Sequence, residues 1–313
     1  MTKFQSLLKN LNPTDVVVLT FYMFLTFLTM LSLPKIDQGF LLISLNLILI
    51  IFVFWISNKA ANSESALWKN IHFYYIVPLI LLTFKEIYVL ITALHSSDYD
   101  NLLIAADRFI FGGDPTVFLY QFANPILTEI LQIAYGTFFF LPIILGIEFH
   151  LKKEYSKFHF IVFTIVLGFF LSYLGYFLLP AVGPRFTLHD FETTNIELPG
   201  LFLTNFLREI VNTGESIPSG TPNPIQVVQR DVFPSGHTQM TLIVMFLAVK
   251  LKSSNKVFFL IDGTLLIFAT VYLRYHYFAD LIGGLIFMII TMVLGKWIFN
   301  WWQNKYSKPT FHY

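Results

Sequence analysis

Long apolar runs with almost no charge recur along this chain, and each is long enough to cross a bilayer as a helix. About 30 Å of hydrocarbon requires roughly 17 to 25 helical residues. Eight runs meet that need: residues 16–33, 39–57, 72–94, 126–148, 158–179, 235–251, 257–273 and 276–299. Inside lipid every backbone amide must be satisfied within its own segment, so the expected fold is an all-α integral membrane protein of about eight transmembrane helices. Composition argues the same way, with 56% of the 313 residues hydrophobic and 12% charged. That balance excludes a soluble globular domain and a disordered chain. A net charge of +1 gives no nucleic-acid footprint, and the absence of cysteine removes thiol nucleophiles, thiolate metal sites and disulfides.

Charge placement orients the spans. Lys3 and Lys9 precede the first run as in a signal peptide, but the run is long and lacks a small-residue cleavage site, so it is expected to remain as an anchor. With eight spans, one side collects Lys3, Lys9, Lys59, Lys69 and the lysines of 152–157, 250–256 and 296–308. The positive-inside rule then places both termini in the cytoplasm of a multi-pass cell (inner) membrane protein, with Trp297, Trp301 and Trp302 as an interfacial belt. The other side holds Lys35 and every arginine: Arg108, Arg185, Arg208, Arg230 and Arg274. Lysine suffices to retain a loop, whereas the guanidinium fork recognises phosphate bidentately, so a phosphate site outside the cytoplasm is expected. Arg108 and Arg208 read equally well as ordinary loop charges.

Two segments outside the spans stand out. Residues 101–112 read as a short interfacial helix or a packed connector, stopped by Gly112-Gly113-Asp114-Pro115. Residues 180–233 are long enough to act as a lid or substrate-selecting cap, with an amphipathic stretch at 201–211.

Three clusters fall at span ends on the arginine-bearing side. Gly183-Pro184-Arg185 brings one guanidinium to the membrane surface on a rigid turn. Pro234-Ser235-Gly236-His237 opens a span, where free helix-end amides and the Ser235 hydroxyl form an anion cradle. Gly236 permits close approach, and His237 could protonate a departing oxygen. In the third cluster His276 and Asp280 are four residues apart, so on one helix face the carboxylate would hold one imidazole nitrogen and present the other as a nucleophile. The two histidines and Asp280 could instead bind a metal, but the charges of Arg185 and Arg274 would repel a cation. Lys85, Glu86 and Asp262 lie inside spans, where charges are functional candidates or bundle-facing pairs.

Arg185, the Pro-Ser-Gly-His tetrapeptide, Arg274 and His276-x3-Asp280 together resemble the phosphatidic acid phosphatase type 2 superfamily, related to vanadium haloperoxidases and bacterial acid phosphatases. The resemblance runs from the third span to the eighth. It implies a six-helix catalytic bundle over residues 71–300 with the cap at 180–233, a two-helix addition at 1–70 and a cytoplasmic tail at 301–313. It further implies that His276 attacks phosphorus, Asp280 orients it and His237 protonates the leaving alkoxide. Arg185, Ser235, Gly236 and Arg274 would hold the phosphoryl oxygens, with no cofactor or metal. The substrate would be a lipid phosphate in the bilayer.

Three positions depart from that family's pattern. Leu178 and Phe186 replace a Lys and a Pro of its first motif, and Thr270 stands where the third motif has Arg. Arg274, one helical turn later, would reach the same anion if the helix continued, and would lie on the site rim if the chain turned. The stretch from Tyr272 to Gly284 resembles the branch containing inositol phosphorylceramide synthases, whereas Gly183-Pro184-Arg185 and residues 107–115 are similar to bacterial members of mostly unassigned reaction. Hydrolysis of a lipid phosphomonoester is therefore the first expectation and phosphotransfer between lipids the second. A catalytically lapsed lipid-binding protein is a third reading. A transporter is a fourth, although the halves show no repeat. Neither the lipid nor the oligomeric state is legible.

Overall fold

The computed structural model describes residues 8–306, so Lys3, Lys308 and the end of the expected tail lie outside the described residues. All regular structure among those residues is helical. In chain order the helices are α1 (Pro13–Leu31), α2 (Gly39–Ala61), α3 (Ala66–Tyr74), α4 (Ile76–Leu94), α5 (Asp100–Phe111), α6 (Pro115–Tyr120), α7 (Pro125–Gly136) and α8 (Phe140–Leu151). They continue with α9 (Tyr155–Leu178), α10 (Pro184–Thr187), α11 (Thr194–Glu197), α12 (Thr204–Gly214), α13 (Pro224–Val227), α14 (Gly236–Lys250), α15 (Lys256–Tyr272) and α16 (Phe278–Lys305).

Local chemistry sets several boundaries. Asn12 and Asn124 each precede a proline and accept a bond from the amide three residues on, which starts α1 and α7. Gly112, with φ of 72°, ends α5 where the Gly-Gly-Asp-Pro stop was expected.

Each of the eight apolar runs is largely helical, yet five helices among the described residues are long and apolar enough to cross a membrane: α1, α2, α3 with α4, α9 and α16. The pair α7–α8, bent by 51°, makes a sixth when it is counted as one broken span. The run 126–148 was expected to be one helix, but Pro142 has no amide to return to the carbonyl of Phe138, and Gly136 weakens the preceding turn. Helices α14 and α15, at 15 and 17 residues, rise only about 22 and 26 Å.

The chain divides into two compact units. One contains, among the described residues, 8–96, 155–170 and 291–306. There the buried Asp15 receives the Tyr75 hydroxyl at 2.9 Å and His72 Nε2 at 2.9 Å, while Asn46 donates to Glu86 at 2.6 Å and Tyr22 meets Thr83 at 2.7 Å. Glu86 thus faces inward, whereas Lys85 lies on the exposed side. Phe40, Ile48 and Ile51 of α2 are all more than 60% exposed, an apolar face suited to lipid.

The other unit contains Ser97–Glu154 and Leu171–Ile290, and it carries all three motif clusters. Within the segment 180–233, expected to form a cap, the stretch 201–204 is tied down by Glu129 of α7, whose carboxylate accepts from the amides of Leu201, Phe202, Leu203 and Thr204 and from the Thr204 hydroxyl. Those bonds explain why the amphipathic helix begins at Thr204, later than the expected 201. Asp262 accepts from Thr137 at 2.7 Å, beside the α7–α8 bend.

Candidate active site

His276 and Asp280 do not share a helix face, because α16 begins only at Phe278. The chain turns first. Arg274 adopts φ of 68°, and the carbonyl of Thr270 accepts from the amides of both Tyr275 and His276 at 3.0 Å. Thr270, in the place of the family's Arg, thus tethers the backbone of the candidate nucleophile. Asp280 caps the new helix from within, accepting from Tyr277 N at 2.8 Å. The same oxygen lies 3.5 Å from His276 Nδ1, and the other, Oδ1, is buried without a hydrogen-bond partner among the described residues.

His276 Nδ1 has a nearer partner in the carbonyl of Val232, at 3.0 Å. A carbonyl only accepts, so Nδ1 carries the proton and Nε2 carries the lone pair. Orientation of the ring, expected from Asp280, therefore comes first from a main-chain group that no motif encodes. Across from it lies His237, with ring centroids 5.7 Å apart. His237 is packed between Tyr135, stacked at 4.4 Å, and Phe138, at 4.0 Å. Both come from the α7–α8 segment, so the bend helps to place the second imidazole.

Ser235 is fully buried as the N-cap of α14, its oxygen accepting from Thr238 N at 3.2 Å while its own amide donates to the Asp280 carbonyl. That last bond joins the tetrapeptide to the turn carrying His276. At Gly236 a Cβ would stand 2.5 Å from the Tyr176 hydroxyl, so a larger residue would have to push that side chain aside.

Arg185 is 5% exposed, with its guanidinium about 5.0 Å from the Phe186 and Tyr275 rings and 5.8 Å from Phe191. Phe186, a departure from the family's pattern, thus becomes part of an aromatic cage. Asn212 accepts from Arg185 at 3.1 Å, and Glu215 lies 3.5 Å away. Asp231 hydrogen-bonds Glu215, and burial beside that second carboxylate pushes its own carboxyl well above the usual range, against the pull of Arg185. Neither acid was singled out in the sequence, since nothing in the chain order reveals that they meet.

Arg274 is buried, but its guanidinium pairs with Glu197 of α11 and lies 5.1 Å from the Tyr120 ring. The pairing holds the Glu197 carboxyl below its ordinary value. Since α15 stops at Tyr272, Arg274 follows the turning path, not the helical one. Leu178 is 67% exposed on the outside of α9. Of the two arginines that also read as loop charges, Arg108 pairs with Asp114 at the surface, whereas Arg208 turns inward to Asn195 and the Leu198 carbonyl. The tyrosines at 272, 275 and 277 are buried in the site walls, not spread as interfacial anchors.

Beside Arg185 and Tyr275 opens a cavity of about 200 Å³ walled mainly by the 180–233 segment, with Asn195, Asn205, Asn212, Arg208 and Thr194 among its lining. Among the described residues no three His, Asp or Glu side chains converge as a metal site would require.

These turns lie within the region where the chain matches the PAP2 superfamily, residues 101–294. A PA-phosphatase related-family protein of Dictyostelium discoideum is 25% identical over 251 residues, which is 66% of this chain and 41% of that protein. The chain thus spans well under half the length of this relative. No solved structure matches. With the family match covering more than half of its residues, the chain belongs to the PAP2 superfamily.

Proposed function

We propose that this protein is a membrane lipid phosphatase that hydrolyses a phosphomonoester through a phosphohistidine on His276. The observation that carries the reading is the pair of facing imidazoles, 5.7 Å apart, one of them with Nδ1 committed to a carbonyl and Nε2 left to react. Nε2 attacks phosphorus, the bond from phosphorus to the lipid oxygen breaks, and His237 gives its proton to that leaving oxygen. His237 then takes a proton from water, the resulting hydroxide displaces His276, and inorganic phosphate leaves. Phosphoryl transfer asks mainly for charge stabilisation and positioning. Arg185 in its aromatic cage and the amides at the start of α14 supply the first. Arg274, tied to Glu197, would join them from the site rim, and Asp280 supports the ring that Val232 orients.

In this reading all eight apolar runs cross the bilayer, α14 and α15 as short spans, and the catalytic region is residues 71–300 with its cap at 180–233. Both termini are cytoplasmic and the site faces away from the cytoplasm, level with the headgroups of its lipid substrate. A second reading, phosphotransfer as in the inositol phosphorylceramide synthase branch, is favoured by the cavity under the cap. The cavity, of about 200 Å³, is lined by amides and hydroxyls together with Arg208 and Glu209, a polar surface that suits a hydroxylated acceptor.

Phosphate release from a panel of lipid phosphates, with EDTA present and a His276→Ala control, tests the proposal. Release that is lost in the control supports the phosphatase. Full activity in His276→Ala would overturn the mechanism, and phosphoryl transfer to an added hydroxylated acceptor without release would select the second reading.

A further inference from the structure

Helix α5 grips the candidate site from one side. Its buried residues are Asp100, Leu103, Ile104 and Asp107, spaced as one stripe of a helix, while Phe109 on the opposite side is 92% exposed. Asp100 receives the amides of Val182 and Gly183 at 3.0 and 2.8 Å and the Tyr277 hydroxyl at 2.7 Å. Asp107 receives the amides of Phe278 and Ala279 at 2.9 and 2.7 Å. Between the two acids, Leu103 and Ile104 pack with Ala181, Val232, Tyr277 and Ala279.

Every group held in this way adjoins a group of the candidate site. Gly183 lies two residues before Arg185, Phe278 lies two residues after His276, and Val232 supplies the carbonyl that orients His276. The two turns are distant in sequence, and α5 spans them with carboxylates seven residues apart, a rise of about 10 Å. The choice of acid is itself informative. A carboxylate near an anion site opposes anion binding, and a neutral amide of the same size would avoid that cost. Only a carboxylate, however, offers two acceptor oxygens to two amides, because asparagine would set its own NH₂ against one of the donors.

We propose that Asp100 and Asp107 are positioning residues, and that α5 acts as a rigid ruler fixing the distance between the Arg185 turn and the His276 turn. The proposal rests on the phosphohistidine reading of those turns. A displacement of about 1 Å at a reacting group costs about 10²-fold in rate. Asp107→Asn is therefore expected to lower kcat about 10²-fold on the best lipid phosphate, with little change in KM or in inhibition by inorganic phosphate. Asp100→Asn, which releases the Arg185 turn, is expected to weaken inhibition by inorganic phosphate about tenfold as well as to slow turnover, as half that displacement would.

Asp107→Ala separates positioning from packing. If the carboxylate acts as a two-oxygen clamp, the volume-preserving Asn variant is as impaired as Ala. If the side chain merely fills space, Asn restores nearly full kcat, which overturns the proposal. Melting temperatures of all variants in the same detergent accompany the kinetics, and a kcat loss that simply tracks lost folded protein also overturns it. A wild-type protein that releases no phosphate from any lipid would refute the proposed function alone. Calorimetric binding of inorganic phosphate then decides the positioning role: weaker binding in Asp100→Asn upholds it, while equal binding, or none to wild type, overturns it.

Discussion

Replacing Gly284 with alanine should separate the two histidines. Helices α14 and α16 meet where a Cβ on Gly284 would stand 2.8 Å from the Ser235 carbonyl oxygen, 3.0 Å from Thr238 Cβ and 3.1 Å from Gln239 N. Comfortable carbon contacts begin near 3.5 Å, so the helices must part by roughly half an ångström. Two of the three obstructing atoms are backbone, which cannot rotate away. Overpacking of this kind costs about 1–3 kcal/mol, and alanine's better helix propensity returns about 1 kcal/mol of that. The net loss of stability is therefore modest, about 0–2 kcal/mol. Catalysis is more sensitive, because Ser235 lies two residues before His237 and its amide is bound to the Asp280 carbonyl. At about 10²-fold per ångström, half an ångström corresponds to about a tenfold loss of turnover. The control is Gly295→Ala on the same helix, where a Cβ meets nothing nearer than 3.5 Å. It is expected to be neutral or slightly stabilising. Phosphate release and thermal unfolding of both variants in one detergent make the comparison. Wild-type turnover in Gly284→Ala would refute the claim that this contact sets the distance between the imidazoles.

Other outcomes follow from the same geometry. Glu129→Ala removes the acceptor of four cap amides and should lower the unfolding midpoint by several degrees while speeding proteolysis near Leu201. Asp231 holds its proton more tightly when folded than when unfolded. In the window between its ordinary pKa and the raised one the folded state binds the extra proton, so this group's contribution to stability falls as pH rises. Asp231→Asn should flatten that slope and raise stability near neutral pH, which unfolding midpoints across about pH 4 to 8 will show. Because Leu178 faces outward, Leu178→Lys should not increase phosphate release, even though it restores the family's usual residue.

Residue order alone determined the class of this molecule. Apolar runs at membrane length leave helices as the one economical way to satisfy backbone amides, and the Pro-Ser-Gly-His and His-x3-Asp spacings marked the two turns where His237 and His276 lie. Local patterning also located the α5 stop at Gly112. Tertiary structure decided what holds these groups and which way they face. The Val232 carbonyl that orients His276, the aromatic cage around Arg185 and the Glu197 partner of Arg274 involve residues far apart in the chain. The helical spacing of His276 and Asp280 misled, because periodicity presumes an unbroken helix, and here the Arg274 turn and the capping carboxylates of Asp107 and Asp280 start a new one at Phe278. Periodicity in sequence reports which face of a segment is buried. It carries no record of the partner on that face, and in this site partners of that kind orient His276 and Arg185.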